Sequence, residues 1–179
     1  MQILRLQLPL ALVLAGMCSF AAAEEKGRQL SLSEGNILLT APSQWEKKQP
    51  RTRILDAEFS IPAVGDDKTP GRATVMGAGG SIEANIGRWK GQFTKLADSS
   101  VEKHQVAGET VHLIDLSGTY KDQRGPFAPA TMRENYRMLG AIIATKKRGQ
   151  YFVKFYGPKA TVEKNEKHFK DMLDSLKVK

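Results

Sequence analysis

Apolar and polar positions alternate along short segments in the first half of the chain, and each such segment predicts a β-strand. We expect strands at 36–40 and 53–61, the first of which is stopped by Pro42. A loop rich in Asp, Pro and Gly follows at 64–71, and a third strand is expected at 72–76.

The second half of the chain predicts four strands arranged as two hairpins. The strand pairs are 101–106 with 110–120 and 134–145 with 150–156, joined by turns at 107–108 and 146–149. Because a hairpin connects neighbouring strands that run in opposite directions, this half predicts an antiparallel sheet.

Two segments instead show the 3.6-residue period of an amphipathic helix. The first follows a glycine run, has Gly80 or Ser81 at its N-terminal cap, and carries one apolar face made of Ile82, Ile86, Trp89 and Phe93. The second is expected at 161–177, with a buried stripe made of Val162, Phe169, Met172, Leu173 and Leu176.

This element order predicts an α+β fold. We expect an antiparallel sheet of about six to seven strands, with two main helices that cover one or both of its faces. The chain has no internal repeat and no linker, so we assign 24–179 to a single α+β domain.

The segment 1–23 has the order of parts found in a secretory signal peptide. Arg5 is followed by an uncharged run that ends in three alanines before Glu24. We therefore expect an exported protein, periplasmic or extracellular, with no membrane span after cleavage. An uncleaved anchor is one alternative, and a lipid anchor at Cys18 is another.

Composition narrows the chemistry of the exported part. Cys18 is the single cysteine and lies in the leader, so the mature domain has no disulfide and no thiolate metal site. Removal of Arg5 from the 27 basic residues leaves a net charge of +7 against 19 acidic residues. For an exported protein this positive charge favours an envelope protein, an anionic lipid or an anionic wall polymer as partner over nucleic acid. The alternative is that the charge serves only the solubility of the protein.

Several junctions resemble the Mog1/PsbP-like superfamily. They are the early strand that ends at Ala41-Pro42 with Trp45 after it, the closing strand 151–158, and a last helix that ends at 172–176. The resemblance covers roughly 30–178. The members that this part of the chain resembles include photosystem II extrinsic proteins and small envelope lipoproteins of the DcrB type. The resemblance implies an α/β/α sandwich with an accessory or binding role, and it carries over no family site residue.

Two surfaces are candidates for binding. Glycines between a strand and a helix leave backbone N–H groups for an anion, and this turn contains Gly77, Gly79, Gly80 and Ser81. The loop at 120–131 combines basic residues and an aromatic residue between prolines, and its candidate contacts are Lys121, Arg124 and Phe127. The alternatives are a tight strand-to-helix connection and a phenylalanine that packs at the edge of the core.

The histidines and Asp115 are the remaining candidates for chemistry. A two-residue turn at 107–108 places His104 opposite Val111, whereas a three-residue loop places His104 opposite His112. Two histidines are too few for a zinc or copper site, so we expect no metal. Asp115 stands in an apolar strand but faces away from His112.

No catalytic or cofactor motif is present, and we assign no catalytic residue and no cofactor. The sequence favours an exported, non-enzymatic accessory or binding protein of the cell envelope. One alternative is an exported enzyme with a cleft near Asp115 and the 77–82 turn. A second alternative is a basic protein that associates with anionic membrane or wall polymer.

Overall fold

A computed structural model describes residues 27–50, 52–123 and 127–179. The expected signal peptide, with Cys18, lies outside these residues. The secondary-structure elements in chain order are β1 (Arg28–Leu32), β2 (Ile37–Ala41), β3 (Glu46–Lys48), β4 (Ala57–Ile61), β5 (Gly71–Ala78), α1 (Ile82–Lys90), β6 (Phe93–Val106), β7 (Glu109–Asp122), β8 (Thr131–Thr145), β9 (Gly149–Pro158), α2 (Lys159–Lys164), α3 (Glu166–Asp174) and β10 (Lys177–Val178).

The strands form two antiparallel sheets. The main sheet has seven strands in the order β3-β4-β5-β9-β8-β7-β6, and the small sheet has the order β1-β2-β10. The three hairpins β6-β7, β7-β8 and β8-β9 give the main sheet its longest strand pairs. The expected α+β fold, with its sheet of six to seven antiparallel strands, is confirmed.

One face of the main sheet packs against the small sheet, α2 and α3. Trp45 lies at the centre of this layer, with its ring 6.1 Å from that of Phe59 and 5.2 Å from that of Phe155. The indole Nε1 donates a hydrogen bond to Asn165 Oδ1 at 3.2 Å. A fully buried tryptophan therefore keeps its N–H paired, as a buried indole requires.

Helix α1 covers only part of the opposite face. Its Trp89 is buried beside Phe152, with ring centroids 5.1 Å apart, and the indole lies directly on the backbone of Gly140. An added Cβ at Gly140 would overlap this ring, so the close approach of helix and sheet requires glycine. The part of this face over β4, β5 and β9 has no helix above it and forms a cleft.

Most predicted elements are present. The strands expected at 36–40 and 72–76 correspond to β2 and β5, and both expected hairpins form. His104 pairs with Val111, as the two-residue turn at 107–108 predicts. Ser81 caps α1, and its Oγ accepts a hydrogen bond from the Ala84 N–H at 3.1 Å.

The strand predicted at 53–61 is half wrong, because only Ala57–Ile61 is a strand. The preceding residues form a turn, in which the Leu55 N–H donates to the Thr52 carbonyl at 3.4 Å. Ile54 is 68% exposed at this turn. Ile54 therefore continues the alternating pattern in the sequence, but it lies at the rim of the cleft and not in a strand.

The expected C-terminal helix at 161–177 is divided in two and ends early. Asn165 leaves helical geometry between α2 and α3, since its side chain donates to the Thr161 carbonyl and accepts from Trp45. Leu176 is buried beyond the end of α3. The chain then pairs as β10 with β2, and this strand was not predicted.

Three further assignments were wrong or missing. Phe93 begins strand β6 instead of ending α1, although its side chain joins the cluster that contains Trp89. The strands β1 and β3 were not predicted, because they are short and β3 is fully exposed.

Within the described ranges, no helix is long and apolar enough to cross a membrane.

Candidate ligand-binding cleft

The cleft on the main sheet has a volume of about 850 Å³. Its floor is formed by β4, β5, β7 and β9, and α1 makes one wall. We call it the Lys154 cleft and define it by its polar residues Glu58, Arg72, Arg88, Gln92, Tyr120, Lys154 and Tyr156. Alternation along the strands directs the side chains of Glu58, Arg72, Lys154 and Tyr156 to the same face of the sheet, and Arg88 and Gln92 come from α1 and the residues after it.

Lys154 lies at the floor of the cleft in the middle of β9. Its Nζ donates hydrogen bonds to Gln92 Oε1 and, at 3.3 Å, to Tyr120 Oη. The ammonium also lies 4.9 Å from the ring centroid of Tyr156 and 5.3 Å from that of Tyr120. Burial, together with the positive charges of Arg72 and Arg88, lowers the pKa of Lys154 to about 7.

Arg72 stands beside Lys154 on β5 and is held by two neighbours. Its Nε donates to Glu58 Oε1 at 2.8 Å, and its Nη1 donates to the Tyr156 hydroxyl at 2.9 Å. Burial opposes the charge, but the bonds to Glu58 and Tyr156 outweigh it and raise the pKa of Arg72 above its ordinary value. The guanidinium is therefore charged at every accessible pH, and its charge is matched by Glu58.

The two tyrosines give the floor its aromatic character. Tyr120 and Tyr156 lie with ring centroids 5.0 Å apart, and Tyr120 also packs on Phe93 and Tyr136. Burial and the neighbouring Tyr156 raise the pKa of the Tyr120 phenol. The Tyr120 hydroxyl therefore remains protonated at neutral pH and serves as a neutral hydrogen-bonding group.

Apolar side chains form the remaining walls. Met76, Trp89 and Phe152 line the side next to α1, and Leu55 and the exposed Ile54 line the opposite rim. The cleft thus combines a basic, hydrogen-bonding floor with apolar walls. Concave sites of this volume and lining are typical of small-molecule binding.

The four residues of the predicted glycine turn do not line this cleft, although the preceding Met76 does, and polar groups of the turn bond within the protein. The Gly77 N–H donates to Asp56 Oδ2 at 3.0 Å, and the Asn85 side chain donates to the carbonyls of Gly79 and Ser81. Gly80 has a φ of +87° and accepts a hydrogen bond from the Gln150 side chain. These contacts are those of a tight connection between β5 and α1.

The predicted 120–131 loop borders the cleft through its first residues. Tyr120 lines the cleft, whereas Lys121 is half-buried and Phe127 is 99% exposed. Arg124 lies outside the described residues. Because Phe127 is exposed, the alternative in which it packs at the edge of the core is wrong.

The turn and the loop lie near opposite ends of the aligned strands, and the Lys154 cleft, which is lined by Met76 next to Gly77 and by Tyr120, extends between them. Gly77 is aligned through β9 and β8 with Val111 at the start of β7, whereas Lys121 lies near the end of β7. The two features are therefore about 30 Å apart along the strands. A surface that includes both would span the whole length of the sheet.

Asp115 belongs to an ion network on the other face of the sheet. Arg137 donates to both of its carboxylate oxygens, at 2.9 and 2.6 Å, and also contacts Glu166 of α3 at 2.8 Å. His112 faces away from Asp115, as strand parity predicted. The enzyme hypothesis placed Asp115 and the 77–82 turn at one cleft, whereas Asp115 lines a small pocket with Glu166 and Lys170, and the turn residues line neither that pocket nor the Lys154 cleft.

The sequence analysis did not identify the Lys154 cleft, although one signal was present. Lys154 interrupts a strand whose other residues between 151 and 156 are apolar or aromatic. A lysine at such a position must either reach solvent or line a polar cavity. Arg72 and Glu58 give the same signal in β5 and β4, and strand pairing alone brings all three together.

No protein-family model matches this chain, and no curated protein matches its sequence. Solved structures do match. The cyanobacterial PsbP (CyanoP) from Synechocystis has a TM-score of 0.54 at 10% identity, with 92% of this chain and 99% of that chain covered. The Ran-binding protein Mog1p from Saccharomyces cerevisiae has a TM-score of 0.51 at 10% identity, with 85% and 95% covered. The chain therefore has a Mog1/PsbP-like fold, as the sequence resemblance predicted.

Proposed function

We propose that this chain is an exported, non-enzymatic binding protein of the cell envelope that holds a small molecule in the Lys154 cleft. The observation that carries the proposal is the concave site of about 850 Å³, in which Lys154, Arg72 and Tyr120 converge between apolar walls. Small-molecule sites in proteins have about 300–1,000 Å³ and the same mixture of apolar lining with a few polar groups.

Two further observations support a binding role. The leader at 1–23 favours export, as described above. One protein with the same fold, Mog1p, is described as Ran-binding, so this fold serves binding in that protein. At 10% identity the likeness transfers neither a partner nor a compartment, and the cleft of this chain is the basis for its own ligand.

A ligand-capture experiment tests this proposal. The chain is incubated with a small-molecule extract of the exported compartment, separated from unbound compounds, and analysed by native mass spectrometry. Ser60 is half-buried on the floor of the cleft opposite Arg72, and the indole of Ser60→Trp obstructs the cleft there. Ser99→Trp, at an exposed position on β6, is the matched control.

We expect one bound mass on the wild type and on Ser99→Trp and none on Ser60→Trp. Equal capture by Ser60→Trp, or no capture by any of the three proteins, would contradict a ligand site in this cleft. In a second incubation with the macromolecular fraction of the same compartment, capture of an envelope protein or polymer that Ser60→Trp leaves unchanged would favour the macromolecular partners considered for the +7 charge.

A second candidate function is an enzyme that uses Lys154 as an amine nucleophile. The observation in its favour is the lowered pKa of Lys154, because a neutral amine adds to a carbonyl and loses water to form an imine. Borohydride in the presence of an aldehyde or keto acid would then leave a secondary amine at Lys154, detectable by peptide mass. The binding function predicts no such adduct.

A further inference from the structure

We infer, on the premise of the binding function proposed above, that the ligand of the Lys154 cleft is a small organic acid. Its one carboxylate lies at Lys154, and its apolar body lies against the wall that contains Ile54.

The charges in the cleft favour a single anionic group. Within the part of the chain that the structure describes, Lys154 forms no ion pair, and its polar partners are Gln92 and Tyr120. Arg72, in contrast, is paired with Glu58 at 2.8 Å. A half-buried cation without an acidic partner is costly, and one carboxylate at Lys154 would offset that cost.

Of the other groups around Lys154, Asp122 supplies negative charge, but its carboxylate is also held by Arg133. The charged and titratable groups around it are Lys48 of β3, Glu58 of β4, Arg72 of β5, Arg88 of α1, Tyr120 and Asp122 of β7, and Tyr156 of β9. Asp122 lies 3.6 Å from Arg133. The cations therefore outnumber the anions in the cleft, so a cationic or zwitterionic ligand is disfavoured.

Hydrogen-bond geometry also suits a carboxylate. An ammonium has three N–H donors, and Gln92 and Tyr120 accept from two of them. The third can be donated to a ligand oxygen, and a charge-assisted bond of this kind is stronger than a neutral one.

The walls require an apolar body on the same ligand. Ile54 is 68% exposed at the rim, and Met76, Trp89 and Phe152 line the opposite wall. An exposed large apolar side chain at the edge of a concave site gains free energy when an apolar ligand covers it. A bare inorganic anion would leave these contacts unmade.

Isothermal titration of the chain with octanoate tests the ligand class. Octanamide has the same body without the charge, octylamine has the opposite charge, and acetate has the carboxylate without the body. At pH 6.0 we expect octanoate to bind at least about tenfold more tightly than the other three compounds. Binding of octanamide or acetate at the affinity of octanoate would overturn the inference.

The pH dependence and two variants assign the binding to Lys154. Octanoate should bind at least about fivefold more weakly at pH 8.5, where the amine is mostly neutral, and Lys154→Met should lose this dependence and at least about tenfold in affinity. Lys103→Met, on exposed β6, is the matched control and should bind as the wild type does. Unchanged affinity in Lys154→Met would overturn the inference.

Ile54→Asp provides a test at an exposed position, where folding is insensitive to the substitution. It should weaken octanoate at least about tenfold, whereas Ile54→Val should bind as the wild type does. The Ser60→Trp variant separates the two proposals. If the wild type binds a neutral or cationic compound that Ser60→Trp excludes, the organic-acid inference is overturned but the small-molecule site is kept. If Ser60→Trp binds octanoate as the wild type does, both the site and the ligand class are contradicted.

Discussion

Lys154 carries an amine at a position where its neighbours along β9 are buried apolar residues. Burial lowers its pKa from the ordinary value of 10.5 to about 7. Between these pH values the unfolded chain binds a proton that the folded chain does not. The free energy of unfolding therefore rises as the pH increases from about 7 towards 10, and the charged amine is a constant penalty below pH 7.

Lys154→Met should remove this penalty. We expect the variant to be more stable than the wild type at pH 6 by roughly 3 kcal/mol, with the difference shrinking towards pH 9.5. Urea unfolding at a series of pH values measures it, with Lys103→Met as a control that follows the wild type. A lower stability of Lys154→Met at pH 6 would mean that its bonds to Gln92 and Tyr120 outweigh burial.

Gly140 makes a second prediction at the scale of the residue. Because an added Cβ would overlap the Trp89 ring, Gly140→Ala should force α1 away from the sheet and lower the stability by about 2 kcal/mol. Thermal unfolding and Trp89 fluorescence measure the change. Gly87→Ala is the control, because a Cβ at Gly87 meets open space in α1. A stable Gly140→Ala would show that α1 can shift without cost.

At the scale of elements, an ion network holds α3 on the main sheet. Arg137 of β8 bridges Asp115 and Glu166, and Lys170 also contacts Glu166 at 2.7 Å. The hydrogen bond from Lys170, and then the one from Arg137, hold the pKa of Glu166 below its usual value. The bonds to Asp115 and Glu166 outweigh burial and raise the pKa of Arg137.

Glu166→Gln should therefore destabilise the protein in a pH-dependent way. A carboxyl whose pKa is depressed on folding stabilises the protein above its ordinary pKa of 4.5, and this contribution is lost as the pH falls through the folded value. We expect a loss of about 1 kcal/mol at pH 7 that shrinks towards pH 3, measured by urea unfolding. Asp171→Asn removes an exposed pair with Lys167 and should cost under about 0.5 kcal/mol.

If Glu166→Gln costs no more than this control at pH 7, the network does not anchor α3.

The break between α2 and α3 has a separate cause at the same scale. Asn165 is buried and joins Thr161 to Trp45 by hydrogen bonds. The helix that follows, α3, packs against β2 of the small sheet.

At the scale of the whole molecule, the prediction concerns cleavage of the leader at 1–23. Signal peptidase requires small residues at the first and third positions before the cut, which are Ala23 and Ala21 here. In an exporting host we expect a mature protein that begins at Glu24, identified by intact mass. Ala23→Leu should accumulate the precursor, whereas Ala22→Leu should be processed normally. Retention of residues 1–23 in the wild type would favour the anchor alternatives.

The sequence predicted the elements that have strong local patterns. Strands β2, β5, β7 and β8 contain runs of apolar and β-branched residues bounded by turn signals, and α1 has a capping serine. The first eight residues of β6 were not predicted as strand, because they are mostly polar and exposed. They become a strand through pairing with β7, which is a contact distant in sequence.

The candidate site divides in the same way. The sequence identified the 120–131 loop, and the structure brings its first residue into the cleft. It did not predict the cleft as a whole, whose residues come from four strands and a helix. Lys154, Arg72 and Glu58 lie far apart in sequence, and only the register of β4, β5 and β9 makes them neighbours.

The sequence by itself determined the α+β class, the antiparallel hairpins and the opposite faces of His112 and Asp115, because periodicity and turn chemistry are local properties. The tertiary structure decided which faces α1 and α3 cover, where α1 stops, and that Lys154 lies without an acidic partner in an open cleft. These features depend on strand order and on packing between residues distant in the chain, which no local pattern contains.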